Sequence, residues 1–296
     1  MKKPIKIFFL ISVLIFSLGF LLLLGGSFFL HKVLEEEIDP DITYIQSMKA
    51  FLTQNAEGES EKQIKESSMR QDYQHISIYY EKNFSALLPI TKEILDLAIA
   101  KNEKLFGGTS LVPIDLLVFE NLEELRGFSE LEAVDGFYSD FDKVLAFHNS
   151  KKELILAEDK LALYAFQKMV LHEYTHYVFA RKAQNPADYP MWFIEGAAEY
   201  IGTDPNEVNF PYFEKISFDQ LKSTEQWQEA RTIPTGDPYV QSYYAFEFLT
   251  SKYGEEVIKQ IIDSVDETRN FEESFTEITG LTVLELESMF LSSYKD

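Results

Sequence analysis

His172-Glu173-Tyr174-Thr175-His176, followed after eighteen residues by Glu195, is the stretch on which the reading of this chain turns. Two histidines four apart lie on one face of a helix, so both imidazoles reach the same ion. Glu173, beside the first of them, can act on a water held by that ion. Glu195 supplies a third ligand and leaves one position open, the arrangement of a catalytic zinc. With five His among 296 residues and abundant Glu, an accidental HExxH arises in about one such chain in a hundred. The setting counts against accident. Leu161 to Leu171 runs into the motif without Gly or Pro, and Phe166, Val170 and Tyr174 recur at four-residue spacing. That spacing predicts a long, mostly buried helix. Polar side chains inside such a helix need partners, and a metal ion supplies one.

The segment Pro190-Met191-Trp192-Phe193-Ile194-Glu195-Gly196-Ala197-Ala198-Glu199-Tyr200 predicts a second helix with Pro at its start. Glu195 and Glu199 share a face of it. Like charges one turn apart repel unless a cation stands beside them. Glu195 is assigned to the ion, and Glu199 to the ring N–H of a ligating histidine. The bland reading of Glu199 is a solvated acidic face. Gly196, Ala197 and Ala198 let this helix pack closely on the first.

HEYTH followed by WFIEGAAEY resembles the gluzincin zinc metallopeptidases, and within them the bacterial peptidase-MA-like domains. The motif is similar to that of zinc aminopeptidases and, more loosely, clostridial-type collagenases. The resemblance covers roughly residues 74–296. It implies one zinc ion on His172, His176 and Glu195, with Glu173 as general base. Pro238-Tyr239-Val240-Gln241-Ser242-Tyr243 is similar to an aminopeptidase helix that opens with Pro-Tyr. There the Tyr polarises the scissile carbonyl and stabilises the oxyanion. By position that is Tyr239, with Tyr243 one turn on as the substitute. The Gly-x-Met-Glu-Asn segment that holds the substrate amine in zinc aminopeptidases has no counterpart in residues 130–160. The resemblance therefore implies hydrolysis of peptide or protein substrates, with an endopeptidase ahead of an aminopeptidase. The rival from another class is a non-catalytic cell-surface binding module on a zincin scaffold.

Lys2, Lys3 and Lys6 precede an uncharged run from Ile7 to Leu30, and Glu35, Glu36 and Glu37 follow it. A run of that length predicts a transmembrane signal anchor over residues 7–30 rather than a cleaved signal peptide, whose apolar core is shorter. The lysines put the amino terminus in the cytoplasm and the catalytic domain outside, as a single-pass cell-membrane protein. The absence of Cys leaves no disulfide framework. Beyond residue 30 lie all 49 acidic and 24 of the 27 basic residues, a net charge of −25. Nucleic acid is excluded as a partner, because phosphate contacts require basic patches.

Residues 31–73 read as a polar stalk with one short helix near Ile42–Leu52, behind the anchor at residues 1–30. Residues 74–296 read as one α+β zincin-like catalytic domain, a small mixed β-sheet lobe followed by a helical lobe. The predicted strands are His75–Tyr80, Pro113–Glu120, Gly136–Ser139, Val144–His148 and Glu153–Leu156. Helices are expected over Ser85–Leu105, Phe218–Ser223, Tyr239–Tyr253, Glu255–Val265, Glu272–Thr279 and Val283–Tyr294. By resemblance, an edge strand of the sheet pairs with the substrate backbone, and Val144–His148 is the candidate. His148, at its end, is either a substrate contact or a structural histidine.

Overall fold

Ile76-Ser77-Ile78-Tyr79-Tyr80 alternates between buried and half-exposed positions, while Val144-Leu145-Ala146-Phe147 is buried throughout. Alternation is the signature of a strand with one wet face, and a continuous apolar run that of a strand covered on both. Both belong to one five-stranded mixed sheet. We describe residues 24–35, 42–53, 58–129, 135–204, 206 and 214–293 in a computed structural model. The chain divides into two units, Met1–Ser68 with Phe141–Lys143, and Met69–Asp140 with Val144–Asp296.

The first unit contains α1 (residues 24–35), α2 (Tyr44–Thr53) and α3 (Glu59–Ser67). Leu34, Ile42 and Ala50 form its small apolar cluster, and His31 Nδ1 lies 2.9 Å from Ser47 Oγ. Among the described residues no helix is long and apolar enough to cross a membrane. This corrects the expected transmembrane helix over residues 7–30 and the single-pass, extracytoplasmic placement drawn from it. Residues 1–23 lie outside the described residues. The part described continues past Leu30 into a helix carrying His31 and the ion-paired Lys32 and Glu35, far short of the ~20 apolar residues a bilayer demands.

The second unit begins with the sheet, in the order β1-β2-β3-β5-β4. Its strands are β1 (Met69–Tyr73), β2 (Ile76–Tyr80), β3 (Ile114–Phe119), β4 (Gly136–Ser139) and β5 (Val144–His148). β1 pairs antiparallel with β2, so the sheet starts at Met69, within the segment read as stalk. β2, β3 and β5 run parallel, and β4 returns antiparallel along β5. β5 therefore lies inside the sheet, and the edge strand beside it is β4. That reverses the expectation for Val144–His148. Its unbroken burial is what an interior strand requires.

Helix α4 (Leu88–Phe106) connects β2 to β3, and α5 (Leu122–Ser129) follows β3. Glu153–Leu156, expected as a strand, lies in the short helix α6 (Lys152–Leu156). Then come α7 (Lys160–Lys182), α8 (Met191–Gly202), α9 (Thr224–Ala230), α10 (Pro238–Tyr253), α11 (Glu256–Thr268), α12 (Phe271–Thr279) and α13 (Val283–Ser293). Phe218–Gln220 makes only a 3-10 turn where a helix was expected. The α+β order, mixed sheet first and helices after, is thus present. Aromatic pairs tie the layers together. Phe147 of β5 meets Phe166 of α7 with ring centroids 5.5 Å apart, and Phe193 of α8 meets Phe246 of α10 at 5.0 Å.

Gly196 marks the closest approach of α8 to α10. A Cβ built there would lie 2.6 Å from the buried Phe246 ring and 3.0 Å from Ser242 O. Gly196→Ala gains roughly 1 kcal/mol of helix propensity and incurs overpacking of about 1–3 kcal/mol. The expected outcome is net destabilisation, read as a lower urea midpoint at unchanged m-value. A midpoint raised by the substitution would show that the α8–α10 contact relaxes freely.

Candidate functional site

Asp159 caps α7 by accepting a hydrogen bond from Ala162 N at 2.9 Å. From that start Phe166, Val170, Tyr174 and Tyr177 fall on the buried side. Lys168, Met169, His172, Glu173 and His176 line a cleft of about 740 Å³. α8 is set against this face by its first turn, where the N–H groups of Met191 and Trp192 donate to Lys222 O and Leu221 O at 3.0 Å each. These are N–H groups that a helix start leaves without an internal partner. At the far end Gly202 lets the helices close, since a Cβ there would meet Lys168 O at 3.1 Å and His172 Cβ at 3.6 Å.

This crossing brings His172, His176 and Glu195 together. Their ligand atoms lie within 4.8 Å of one another. The two Nε2 atoms are 3.1 Å apart, and Glu195 Oε2 lies 3.3 Å from that of His172 and 3.6 Å from that of His176. A tetrahedral ion with N and O donors at about 2.0–2.2 Å spaces them by about 3.3–3.6 Å. Glu195 Oε2 is buried and makes no hydrogen bond of good geometry, although two ring nitrogens face it. Two imidazoles and a carboxylate converging on one point, with that oxygen orphaned, fit a zinc ion.

Around the donors the charges are arranged in sequence. Glu199 Oε1 takes His172 Nδ1 at 3.0 Å, and its other oxygen lies 2.7 Å from Lys168 Nζ. Burial opposes charge on His172, but Glu195 and Glu199 outweigh it and hold the imidazole well above its usual range. Burial also opposes charge on Glu195, which His176 and His172 nevertheless hold well below the ordinary carboxylate range. Glu199 is held low in the same way, by His172 and Lys168 against burial. Glu173 differs. Burial pushes its carboxyl up, against the pull of His172 and His176. Gly136 of the edge strand comes close to it, since a Cβ on that residue would stand 3.3 Å from Glu173 Cγ.

The opposite wall comes from α9 and α10. Asp237 caps α10 by accepting from Val240 N at 3.0 Å, and Pro238 opens the helix. Tyr239 then faces the cleft, its ring centroid 6.2 Å from that of His172 and edge-on to the buried Trp227 at 5.1 Å. Burial, reinforced by the charge of Glu195, pushes the Tyr239 phenol up to about 12, so it stays a proton donor at neutral pH. Tyr243 is buried against Tyr200 and lines a different cavity. His148, at the end of β5, is not among the residues lining the cleft. The sequence reading passed over Lys168, Gly136, Trp227 and Arg231, all of which line it or close it. α9 had a legible signal, the capping box in which Ser223 and Gln226 satisfy each other's backbone N–H groups.

No family model matches the chain. The uncharacterized protein YhcO of Bacillus subtilis (strain 168) is 31% identical over 244 residues, covering 81% of this chain and 76% of the relative. The chain belongs to the YhcO family. Among solved structures, the crystal structure of Legionella pneumophila aminopeptidase A in complex with aspartic acid is similar, with a TM-score of 0.53 at 16% identity. The match covers 76% of this chain and 28% of that one, and the likeness is one of fold.

Glu199→Gln keeps the side chain's shape and removes the charge between His172 and Lys168. Zinc binding by the full-length protein should weaken by roughly 10–100-fold, read by competition with a chromophoric chelator. An unchanged affinity would leave Glu199 with no part in holding the site.

Proposed function

We propose that this chain is a zinc metallopeptidase that hydrolyses peptide bonds, an endopeptidase before an aminopeptidase. The observation that carries the reading is the convergence of His172, His176 and Glu195 beside the half-buried carboxyl of Glu173 in one cleft. Zinc held there supplies Lewis acidity, acidifying water and polarising a carbonyl. The chain's own groups do the rest. Glu173, moved towards neutrality by burial, takes a proton from the attacking water and hands it to the leaving amine. The Tyr239 hydroxyl donates to the oxygen on which charge develops. Glu199 and Lys168 fix the tautomer and tilt of His172. The edge strand β4 offers its backbone to an extended substrate.

The fold likeness to an aminopeptidase supports peptide hydrolysis as the chemistry. The endopeptidase preference rests on residues 130–160, which contain nothing like the Gly-x-Met-Glu-Asn segment that holds the substrate amine in zinc aminopeptidases. A non-catalytic binding module would have no use for an up-shifted carboxyl beside a donor triad.

Two substitutions test the roles separately. Glu173→Gln should retain one zinc per chain and lose cleavage of a peptide library by about 10²–10⁴-fold. Cleavage at the wild-type rate by that variant would end the reading. Tyr239→Phe should lower kcat by roughly 10²–10³-fold with little change in KM. If Tyr243→Phe has that effect and Tyr239→Phe does not, the oxyanion donor has been assigned to the wrong residue.

A further inference from the structure

Tyr239 shares the cleft wall with a buried donor that the proposed chemistry leaves idle. Trp227 stands in the middle of α9, 1% exposed. Its ring meets the Tyr239 ring edge to face, with centroids 5.1 Å apart and planes at 88°. Its place is fixed from two directions. Trp227 N donates to Ser223 O at 2.9 Å, inside the turn closed by the Ser223–Gln226 capping box. Gln226 in turn donates to Asp219 O at 3.1 Å, which ties α9 to the 3-10 turn before it. The indole Nε1 is buried and makes no hydrogen bond of good geometry. Buried indole N–H groups ordinarily find an acceptor, because a donor shut away from water is costly to leave unpaired. The polar group on which this one acts is the Tyr239 hydroxyl. Burial and Glu195 raise the proton affinity of that phenol, and the side chain of Trp227 opposes them.

A phenol hydroxyl donates one proton, accepts on its remaining lone pairs, and turns to suit its neighbours. From α9 this hydroxyl meets the indole N–H, a group that donates and cannot accept. From α7 and α8 it meets the charges of Glu173 and Glu195. We infer that Trp227 is a positioning residue: its indole N–H takes a lone pair of the Tyr239 oxygen and turns the phenolic proton towards the donor triad. The inference rests on the peptidase reading and adds a residue that acts through Tyr239 without touching substrate. Catalytic hydrogen bonds are commonly long or poorly aligned before substrate binds and tighten with it, and the contact between Trp227 and Tyr239 has that character. The gain is preorganisation. A hydroxyl already turned stabilises developing charge without reorienting during the reaction.

The test begins with nuclear magnetic resonance on zinc-loaded, full-length protein. The chain has two Trp, so its spectrum holds two indole N–H signals. Replacing Trp227 site-specifically with its sulfur isostere, 3-benzothienylalanine, removes one signal and so assigns it, without opening a cavity. Tyr239→Phe should move the Trp227 signal upfield, since the acceptor is gone. The signal of Trp192, which stacks on Phe218 at 4.4 Å, should stay in place. A Trp227 signal unmoved by Tyr239→Phe overturns the inference whether or not the protein cleaves peptide. The second arm is kinetic. The isostere should lower kcat on a peptide substrate by roughly twofold to tenfold, the range for one neutral hydrogen bond, with KM little changed. Combined with Tyr239→Phe it should lower kcat no further, because the group it acts through is already lost. An equal loss with and without Tyr239→Phe marks a packing role and overturns the inference, leaving the peptidase reading in place. Wild-type protein that cleaves no peptide, while the Trp227 signal still answers to Tyr239→Phe, overturns the peptidase reading and the positioning role with it.

Discussion

Two carboxylates one turn apart on a buried helix, Glu195 and Glu199, impose the constraint that the surrounding structure answers. Glu195 is 9% exposed and Glu199 4%, so neither charge is relieved by water, and an unpaired buried charge costs several kcal/mol. The answer is a cationic or proton-donating group on every side. His172 bridges the two carboxylates through its two nitrogens, Lys168 closes on the far oxygen of Glu199, and His176 faces Glu195. Lys168, His172 and His176 lie at four-residue spacing on α7, so one helix face supplies all three. The two helices must then run close together. Gly202 permits this against α7 and Gly196 against α10.

The same closeness isolates Glu173. It sits next to His172 in sequence yet outside the chain of paired charges, under the edge strand. Gly136 lies against it, and a Cβ on that glycine would stand 3.3 Å from both Glu173 Cγ and Met169 Cγ. A carboxyl pressed by apolar surface on one side and by a fixed set of charges on the other is held closer to neutrality than one in water. The sheet therefore shapes the surroundings of Glu173 without adding a residue to the donor triad. β4 covers the carboxyl, and the central strands β3 and β5, buried on both faces, hold β4 in place over α7.

The donor triad was legible in the sequence because helical period and ligand chemistry fix it locally. His172 and His176 need only one helix, and Glu195 needs only the next. Strands Gly136–Ser139 and Val144–His148 were legible for similar reasons. Their order in the sheet was not, because pairing is a long-range property. The burial of Val144 to Phe147 could have argued for an interior place. Glu153–Leu156 misled because a short apolar run does not distinguish strand from helix. The apolar run at residues 7–30 led to a membrane span that no described helix supports. Lys168 and Arg231 were passed over because lysines and arginines on helices are ordinarily solvated, and nothing in their local spacing reveals an acid or a cleft across from them.

The wall formed by α9 and α10 shows why such residues matter together. α9 is a helix of two turns whose capping box and buried Trp227 fix it, and α10 starts at a Pro with its own Asp cap. Each start is specified locally, so the placement of Tyr239 follows from two short-range signals joined by one aromatic contact at 5.1 Å. Arg231 follows the last turn of α9, its guanidinium carbon 5.7 Å from the centre of the Tyr239 ring. Its charge also lowers the proton affinity of the Tyr239 phenol, while Glu195 raises it. The hydroxyl is thus poised between a carboxylate of the donor triad and a guanidinium of the cleft wall. The proton affinity of that phenol is therefore set from two elements at once, by α8 through Glu195 and by the end of α9 through Arg231.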